Sequence, residues 1–579
     1  MELTRRGFLA ASALTVGTTA FSACSSEGST PSGSWPDEAA WQSLRDQVGD
    51  RLIQPTSPLA ACQTDPDSGE CKKELKQVEN PFYLQTEAGA TQTQGWYEAW
   101  DTVVSPYAIA VASTDDVVAG VNFARDNGVK LVIKGAGHDY LGRNLAPDSL
   151  LLWTHNMDDI TVHDKFIPEG SAGKGSKAIS VGAGARWLNV YHAATKAGLY
   201  VQGGGCTTVG ASGGFIQGSG FGSFSRRFGT GAGGVLEFEV VTADGSVLVA
   251  NADQNSDLFW ALRGGGGSTF GVVARTTLLA HPIPQTMGLI RGTVSTKSDT
   301  VFQQLLVRIV KLMERMATSD WGEQINIREG NTIDFGVVFV DKDEEWARGQ
   351  WRVLTDWTDD NSDVVDTDLD FQVFPFSDQW NADFWDKNDP DFITHDPTPG
   401  SPDWYYWWTS NGAEVSWYLT GYQSRWLPAD MLQRPTKLAQ LFFDVSRDSG
   451  FSIQMNKGLY GQSEESRKRD KQTSLHPGAF AAAALIIIAR GSRGTYPEIP
   501  GSDPDDSTFA AQRDQVNGAM GKFREAMPGA GSYANEADFF ETDWQNEFWG
   551  SNYQRLLDIK QQYDPDNFFQ VHHGVGSEV

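Results

Sequence analysis

Apolar residues in the first half of the chain fall at two alternating spacings. The run AIAVA from Ala108 reads as a strand; Thr114 then caps a helix whose Val117, Val118 and Val121 share one face, and Gly128 ends it. Residues 130–134 are the next expected strand, with others at 150–153, 178–181 and 235–242 and a helix over 186–197 stopped by Gly198. Asp244-Gly245 turns a hairpin into a strand at 247–250. The pattern changes after His281-Pro282-Ile283-Pro284. Strands are expected at 288–294, 332–340 and 485–489, and helices at 300–316 and 428–446. Residues 357–408, rich in Asp and Trp, show weak periodicity and read as an irregular insertion. The expected organisation is a mixed α/β unit over 94–284 followed by an α+β unit carrying an antiparallel sheet over 285–531.

A length of 579 residues exceeds what one hydrophobic core serves, which agrees with two lobes. The net charge of -28, with no concentrated Lys/Arg block, argues against nucleic acid as a partner and against an anionic lipid surface. Residues 1–34 are set apart from the fold. Arg5-Arg6-Gly7-Phe8-Leu9 followed by an uncharged stretch to Ala23 reads as a twin-arginine export signal, too short and too rich in small residues to span a membrane. That route carries folded cargo and suits a protein that acquires a bulky cofactor first. Phe21-Ser22-Ala23-Cys24 is similar to a lipoprotein cleavage box, so the exported chain is either secreted or lipid-anchored through Cys24. Of the other cysteines, Cys62 and Cys71 in the extension 35–93 are close enough to pair in an oxidising compartment, and Cys206 is left over.

Three glycine-dense segments carry the candidate chemistry. KGAGHDYLGRN, from Lys134 to Asn144, follows an expected strand and sets one imidazole, His138, among glycines where main chain can approach a planar ligand. The second runs from Gly203 to Gly234 and opens with GGGCTTVGASGGFIQGSGFG; a helix start near Gly213 favours an anion, and the threaded Phe215, Ile216 and Phe221 exclude a flexible linker. It lacks the single short loop of a doubly wound dinucleotide fold, so NAD is disfavoured. In the third, four glycines from Gly264 to Gly267 separate a short helix from a strand beginning near Gly271.

Together these segments resemble the PCMH-type FAD-binding domain of the vanillyl-alcohol oxidase superfamily, specifically the berberine-bridge-enzyme-like flavoproteins. The likeness spans about residues 95–282 and resumes over 532–578, where SYANEAD, FWGSNYQRLLDIK, YDPDNFF and GVGSE are similar to the family's C-terminal segment. KGAGHDYLGRN, SLLLWTH and the GVGSE ending look most like the isoamyl-alcohol-oxidase-like branch. The resemblance implies two α/β subdomains holding FAD, a substrate domain, and a segment 532–579 returning to the FAD domain. It implies flavin bonded through its 8α-methyl group to His138 and through ring carbon C6 to Cys206; Thr207 departs from the proline often found there. The nucleophilicity of imidazole and thiolate agrees with both bonds. Further FAD contacts are expected at Lys134, Gly135, Gly137, Asp139, Gly142 and Arg143, at Gly205, Thr208, Val209, Gly210, Gly213, Gly214, Gly218 and Gly220, and at Gly271, Val272 and Asn567.

The resemblance implies oxidation of an alcohol-type carbon, with hydride leaving for flavin N5 while a base takes the O–H proton. Glu536 or Tyr533 in SYANEAD is the expected base, Glu536 replacing a tyrosine common in relatives. Gln454 stands where some relatives carry a glutamate and, as an amide, can only orient substrate. The run Trp404 to Trp408 either floors a pocket for a sugar or aromatic alcohol or packs in the core, and His572-His573 lacks a third ligand at metal spacing. Val209 stands at the family's oxygen-permitting valine, which points to O2 as acceptor and H2O2 as product. A dehydrogenase using a quinone or protein acceptor, and an exported flavin-retaining binding lipoprotein without turnover, are the alternatives.

Overall fold

A computed structural model of the chain describes residues 35–578; the twin-arginine motif and Cys24 lie outside the described residues. Strand Tyr107–Ala110, helix Thr114–Asn127 and strand Lys130–Lys134 follow the expected order. The cap is Ser113 rather than Thr114: its hydroxyl accepts from Asp116 N–H at 3.3 Å, and Asp115 and Asp116 face the positive end of the helix dipole. Gly128 ends the helix in the left-handed region at φ 63°. Ser149–Trp153 lies between the two strands and parallel to both, and Leu52–Ile53 adds an antiparallel edge. Beside this four-stranded sheet is a five-stranded antiparallel one, ordered Val247–Asn251, Val235–Val241, Val272–Leu279, Ser176–Gly182 and Ile160–Phe166. Its first hairpin turns at Asp244-Gly245, where Gly245 sits at φ 81°. Cys62 and Cys71 are disulfide-bonded.

The remaining large sheet has nine strands, ordered Val365–Pro375, Thr286–Thr296, Thr332–Val340, Trp321–Ile327, Phe451–Gln454, Ala482–Arg493, Trp417–Pro428, Thr93–Trp96 and Trp100–Asp101. Thr93–Trp96, at the boundary expected near residue 94, runs parallel to Trp417–Pro428; the other neighbours are antiparallel. Helices Asp299–Met316, Glu344–Asp360, Pro435–Ser446 and Asp506–Ala526 bury Leu305, Trp351, Phe442 and Phe523 in one core with Ile325, Val337 and Ile486 of the sheet. Two further expectations are corrected. The single helix over 428–446 is a 3-10 turn, Ala429–Gln433, and a separate helix, because Pro435 has no N–H to continue the ladder and serves as a first-turn residue. Much of 357–408 is regular: residues 357–360 finish a helix, and Val365–Pro375 pairs along its length with Thr286–Thr296. Its VDTDLDF alternation was hidden by aspartate, a poor strand former, but exposed Asp366, Asp368 and Asp370 suit an edge strand by discouraging pairing with another chain.

The C-terminal helix Tyr553–Tyr563 is tied to the third glycine segment by one buried cation. Lys560 Nζ donates to the carbonyls of Thr269 (2.8 Å) and Phe569 (2.7 Å) and pairs with Asp564. Asp564 in turn accepts from Phe568 and Phe569 N–H, each at 2.8 Å. Removing one partner of a buried pair strands the other charge, so Lys560→Met is expected to cost about 3–5 kcal/mol of stability, read as a lower urea midpoint. A midpoint equal to that of the unmodified protein would show that the pair is not structural.

Candidate active site

The first glycine segment leaves the sheet at Lys134, whose fully buried ammonium donates to the carbonyls of Glu87 (2.6 Å), Ala88 (3.3 Å) and Ala90. Burial lowers its pKa to about 7, with Glu87 opposing. Gly137 takes φ 80°, and Asp139 closes the turn beyond it by accepting from Arg143 N (2.7 Å) and Nε (2.8 Å). His138 Nε2 is thereby placed 3.1 Å from Thr208 Oγ1, and Cys206 Sγ lies 3.6 Å from the same hydroxyl. Thr208 is itself fixed by Gln85, whose amide donates to its carbonyl. Burial lowers the His138 pKa to about 4, leaving the imidazole neutral at neutral pH, and burial raises that of the Cys206 thiol against the Thr208 hydrogen bond. The two expected nucleophiles therefore converge on one hydroxyl.

Both face a cavity of about 660 Å³ that runs from the glycine segments to the nine-stranded sheet. Gly135, Gly137, Gly205, Gly210, Gly213, Gly214 and Gly271 line it, with Asp139, Arg143, Val209 and Val272. A Cβ built on Gly213 or Gly214 meets nothing within 4 Å, so main chain is bare there; Gly267, from the third segment, closes on Gly214, its own Cβ position lying 3.2 Å from Gly214 Cα. Gln217 also lines the cavity, and its buried Oε1 has no partner. Bare backbone from three segments, an orphaned acceptor and two nucleophiles fit FAD.

The other expected contacts stand back from the cavity. Lys134 and Thr208 support it as described. Gly142 is pressed against the Trp100 ring, Gly218 against Asn535 and Gly220 against the Phe215 ring, each too close for a Cβ. Asn567, at φ 53°, donates to Gly576 O at 2.9 Å and holds the C-terminal turn.

At the sheet end, Glu536 lines the cavity with both carboxylate oxygens 2.6 Å from Lys457 Nζ. Tyr533 also lines it; its OH accepts from Asn535 Nδ2 at 3.2 Å, and burial, reinforced by Glu536, raises its pKa above the usual phenol range. Gln454 ends its strand with Nε2 donating to Gln324 Oε1 (2.5 Å) and Ser452 Oγ (2.7 Å). Sequence reasoning missed four neighbours. Tyr140 donates to Glu414 at 3.2 Å and stacks on Tyr422 at 4.7 Å, and Glu323 accepts from Ser223. Burial raises the pKa of both Glu414 and Glu323, with Lys457 opposing in each case. Tyr140 was visible inside KGAGHDYLGRN and Lys457 three residues after Gln454, but Glu323 and Glu414 carry no local signal. Of the aromatic run, Trp408 reaches the cavity and donates from Nε1 to Gly205 O at 2.8 Å, whereas Trp404 stacks on His192 and Tyr405 on Phe82. His572 and His573 stack on Phe539 and Trp544 respectively, and no group of three His, Cys, Asp or Glu among the described residues is arranged to hold a metal.

An FAD binding domain family matches residues 106–251, which contain His138 and Cys206, and a berberine and berberine-like family matches 532–576, which contain Tyr533 and Glu536. Over 561 residues the chain is 31% identical to the FAD-linked oxidoreductase ZEB1 of Gibberella zeae, covering 94% of this chain and 91% of that protein. The chain is a berberine-bridge-like FAD-linked oxidoreductase. Its fold is shared with a VAO-type flavoprotein of Myceliophthora thermophila C1, at TM-score 0.78 and 26% identity over 94% of this chain and 96% of that one. It is also similar to glucooligosaccharide oxidase from Acremonium strictum, a protein with 6-S-cysteinyl, 8α-N1-histidyl FAD, at TM-score 0.63 and 19% identity over 90% and 99% of the two chains. For this oxidoreductase, Gly213→Val places a branched side chain where backbone is bare to the cavity. Overpacking of about 1–3 kcal/mol is expected to appear as lost flavin absorbance per mole of purified protein with an unchanged circular dichroism spectrum; full flavin content would remove Gly213 from the FAD site.

Proposed function

We propose that this oxidoreductase oxidises an alcohol-type carbon, on a primary alcohol, a sugar or an aromatic alcohol, with FAD held covalently by His138 and Cys206 and with O2 as electron acceptor. The observation that carries the reading is the cavity itself, with His138 and Cys206 at one wall and the Glu536–Lys457 pair and Tyr533 lining the same space. The covalent reading is supported by the cysteinyl and histidyl FAD named for the glucooligosaccharide oxidase of like fold. The Thr208 contact is compatible with it: in the tautomer whose Nε2 proton is donated to Thr208, Nδ1 carries the free lone pair.

Bound FAD supplies a two-electron acceptor. The polypeptide does the rest. Trp385, Phe392 and Trp408 line an apolar wall for the carbon body, and Gln454 and Asn456 offer amides for further hydroxyls. Glu536, oriented by Lys457, takes the O–H proton as the carbon gives up hydride, and a carbonyl compound leaves. O2 takes the two electrons with two protons as H2O2. The twin-arginine motif, together with the Cys62–Cys71 disulfide, supports export after cofactor loading, secreted or anchored through Cys24.

Acid-precipitated protein is expected to stay yellow, and His138→Ala and Cys206→Ala each to keep one link; release of all flavin by acid would end the covalent reading. Glu536→Gln is expected to slow anaerobic flavin reduction by about 10²- to 10⁴-fold with flavin content unchanged, and a rate like that of the unmodified enzyme would move the base elsewhere. Reduced flavin that air leaves reduced but an added quinone reoxidises would favour a quinone or protein acceptor. Replacing Arg5 and Arg6 by Lys is expected to leave flavin-loaded protein in the cytoplasm.

A further inference from the structure

The substrate end of the cavity has an uneven charge balance. Asp139 is matched by Arg143, Asp334 by Arg328 and Arg291 by Asp389. That leaves three carboxyl groups, Glu323, Glu414 and Glu536, facing one cation, Lys457. Both Glu536 oxygens take the ammonium, which is 12% exposed against 18% for the carboxylate. Glu414 and Glu323 receive only hydroxyls, from Tyr140 and Ser223. The other titratable groups near Glu414 and Glu536 are the phenols of Tyr140, Tyr422 and Tyr533 and the Cys206 thiol, all acids that bring no positive charge.

We propose that Lys457 is the positioning residue of the proton-accepting step: it holds Glu536 as the ionised, oriented carboxylate of the cavity against competition from Glu414. The two carboxyl groups share one low-dielectric space, and like charges there disfavour joint ionisation. With the ammonium bound to Glu536, burial and the neighbouring Glu536 charge both favour a proton on Glu414. Without it, no geometric reason assigns the charge to Glu536, and the group meant to accept the hydroxyl proton already carries one for part of the time. The inference rests on the proposed alcohol oxidation, but Lys457's hold on Glu536 exists in the resting enzyme and can be read without turnover.

The test is the pH dependence of anaerobic flavin reduction in Lys457→Met, Lys457→Gln and Lys457→Arg, paired with pH-difference infrared spectroscopy of the carboxyl C=O stretch, assigned by loss of the band in Glu536→Gln. In Lys457→Met and Lys457→Gln the acid limb of the rate is expected to move to higher pH by about one to three pH units, the span typical of an opposite charge within contact distance. Lys457→Arg should restore it, and adding Glu414→Gln to Lys457→Met should bring the limb part of the way back by removing the competitor. A uniform rate loss with an unmoved limb, as from a structural lysine, would overturn the proposal, as would a Glu536 band that titrates identically with and without Lys457. If no alcohol reduces the flavin, the function proposed above fails while the infrared titration still decides the role of Lys457. If Lys457→Met and Lys457→Gln do not fold, Glu414→Gln alone should leave the Glu536 titration in place, because the Glu414 it replaces already holds the proton, and a move to lower pH would refute that assignment.

Discussion

Where separate segments meet around the cavity, buried carbonyls need donors, and buried cations provide them. Three sites repeat the solution. Lys134 gathers carbonyls of 87, 88 and 90 beneath the His138 loop; Lys560 gathers those of 269 and 569 at the third glycine segment. Arg226, at the end of the Cys206 segment, donates to Tyr460 O (3.1 Å), Trp321 O (3.1 Å) and Ala483 O (2.5 Å). An unpaired buried carbonyl costs about 1–3 kcal/mol whether it belongs to a loop, as at residues 87–90, or to the start of a strand, as at Trp321 and Ala483. One ammonium or guanidinium offers three to five donors, so a single side chain settles several carbonyls from different segments. The cost of burying the charge shows in the Lys134 and Arg226 pKa values, driven down to about 7 and about 10 by desolvation.

These cations also decide which parts of the chain meet. Arg226 joins the second glycine segment to two strands of the nine-stranded sheet, and Lys560 joins the C-terminal helix to the third segment. The result is a cavity whose cofactor end is moulded by loops and whose substrate end is set by strands. Asp470 does the converse for donors: buried, it accepts from Thr230 N–H and hydroxyl, and its oxygen occupies the space a Cβ on Gly233 would need. Glycine at 233 is thus required by the carboxylate behind it rather than by a ligand in front.

How much of this the sequence discloses depends on how local the determining contacts are. Helix Thr114–Asn127 and strand Lys130–Lys134 were legible because cap, period and stop lie within a few residues of one another. The glycine runs mark close backbone approach by composition, but His138 and Cys206 stand out only through the resemblance to a known family, since one imidazole or one thiol in a glycine loop is by itself an ordinary turn residue. The polar cluster at the sheet end was only half legible. Glu536 and Tyr533 belong to a recognisable segment, but Glu414 matters because of Tyr140, 274 residues earlier, and Lys457 because of Glu536, 79 residues later. No spacing rule connects them. The edge strand Val365–Pro375 was missed for the opposite reason: its alternation is local, but aspartates that protect an edge lower the strand propensity by which strands are recognised.

Glu323 shows what the sheet itself contributes. Successive side chains of a strand point to opposite faces, so Glu323 and Gln324 should not both reach one cavity, yet both line it. The exception is built into the backbone: Glu323 sits at φ 61°, in the left-handed region that a residue with a side chain enters at a cost of about 1–3 kcal/mol. Such a conformation persists only where its surroundings over-determine it. Here Ser223 donates to the Glu323 carboxylate, and the preceding Gly322 is packed so closely on Ser223 that a Cβ would overlap its carbonyl oxygen. The second glycine segment thus presses on the strand at residue 322 and pulls on it at 323. It turns one extra carboxyl group toward the space that its own Cys206 faces, so the loop that shapes the cofactor end also sets the chemistry of the substrate end.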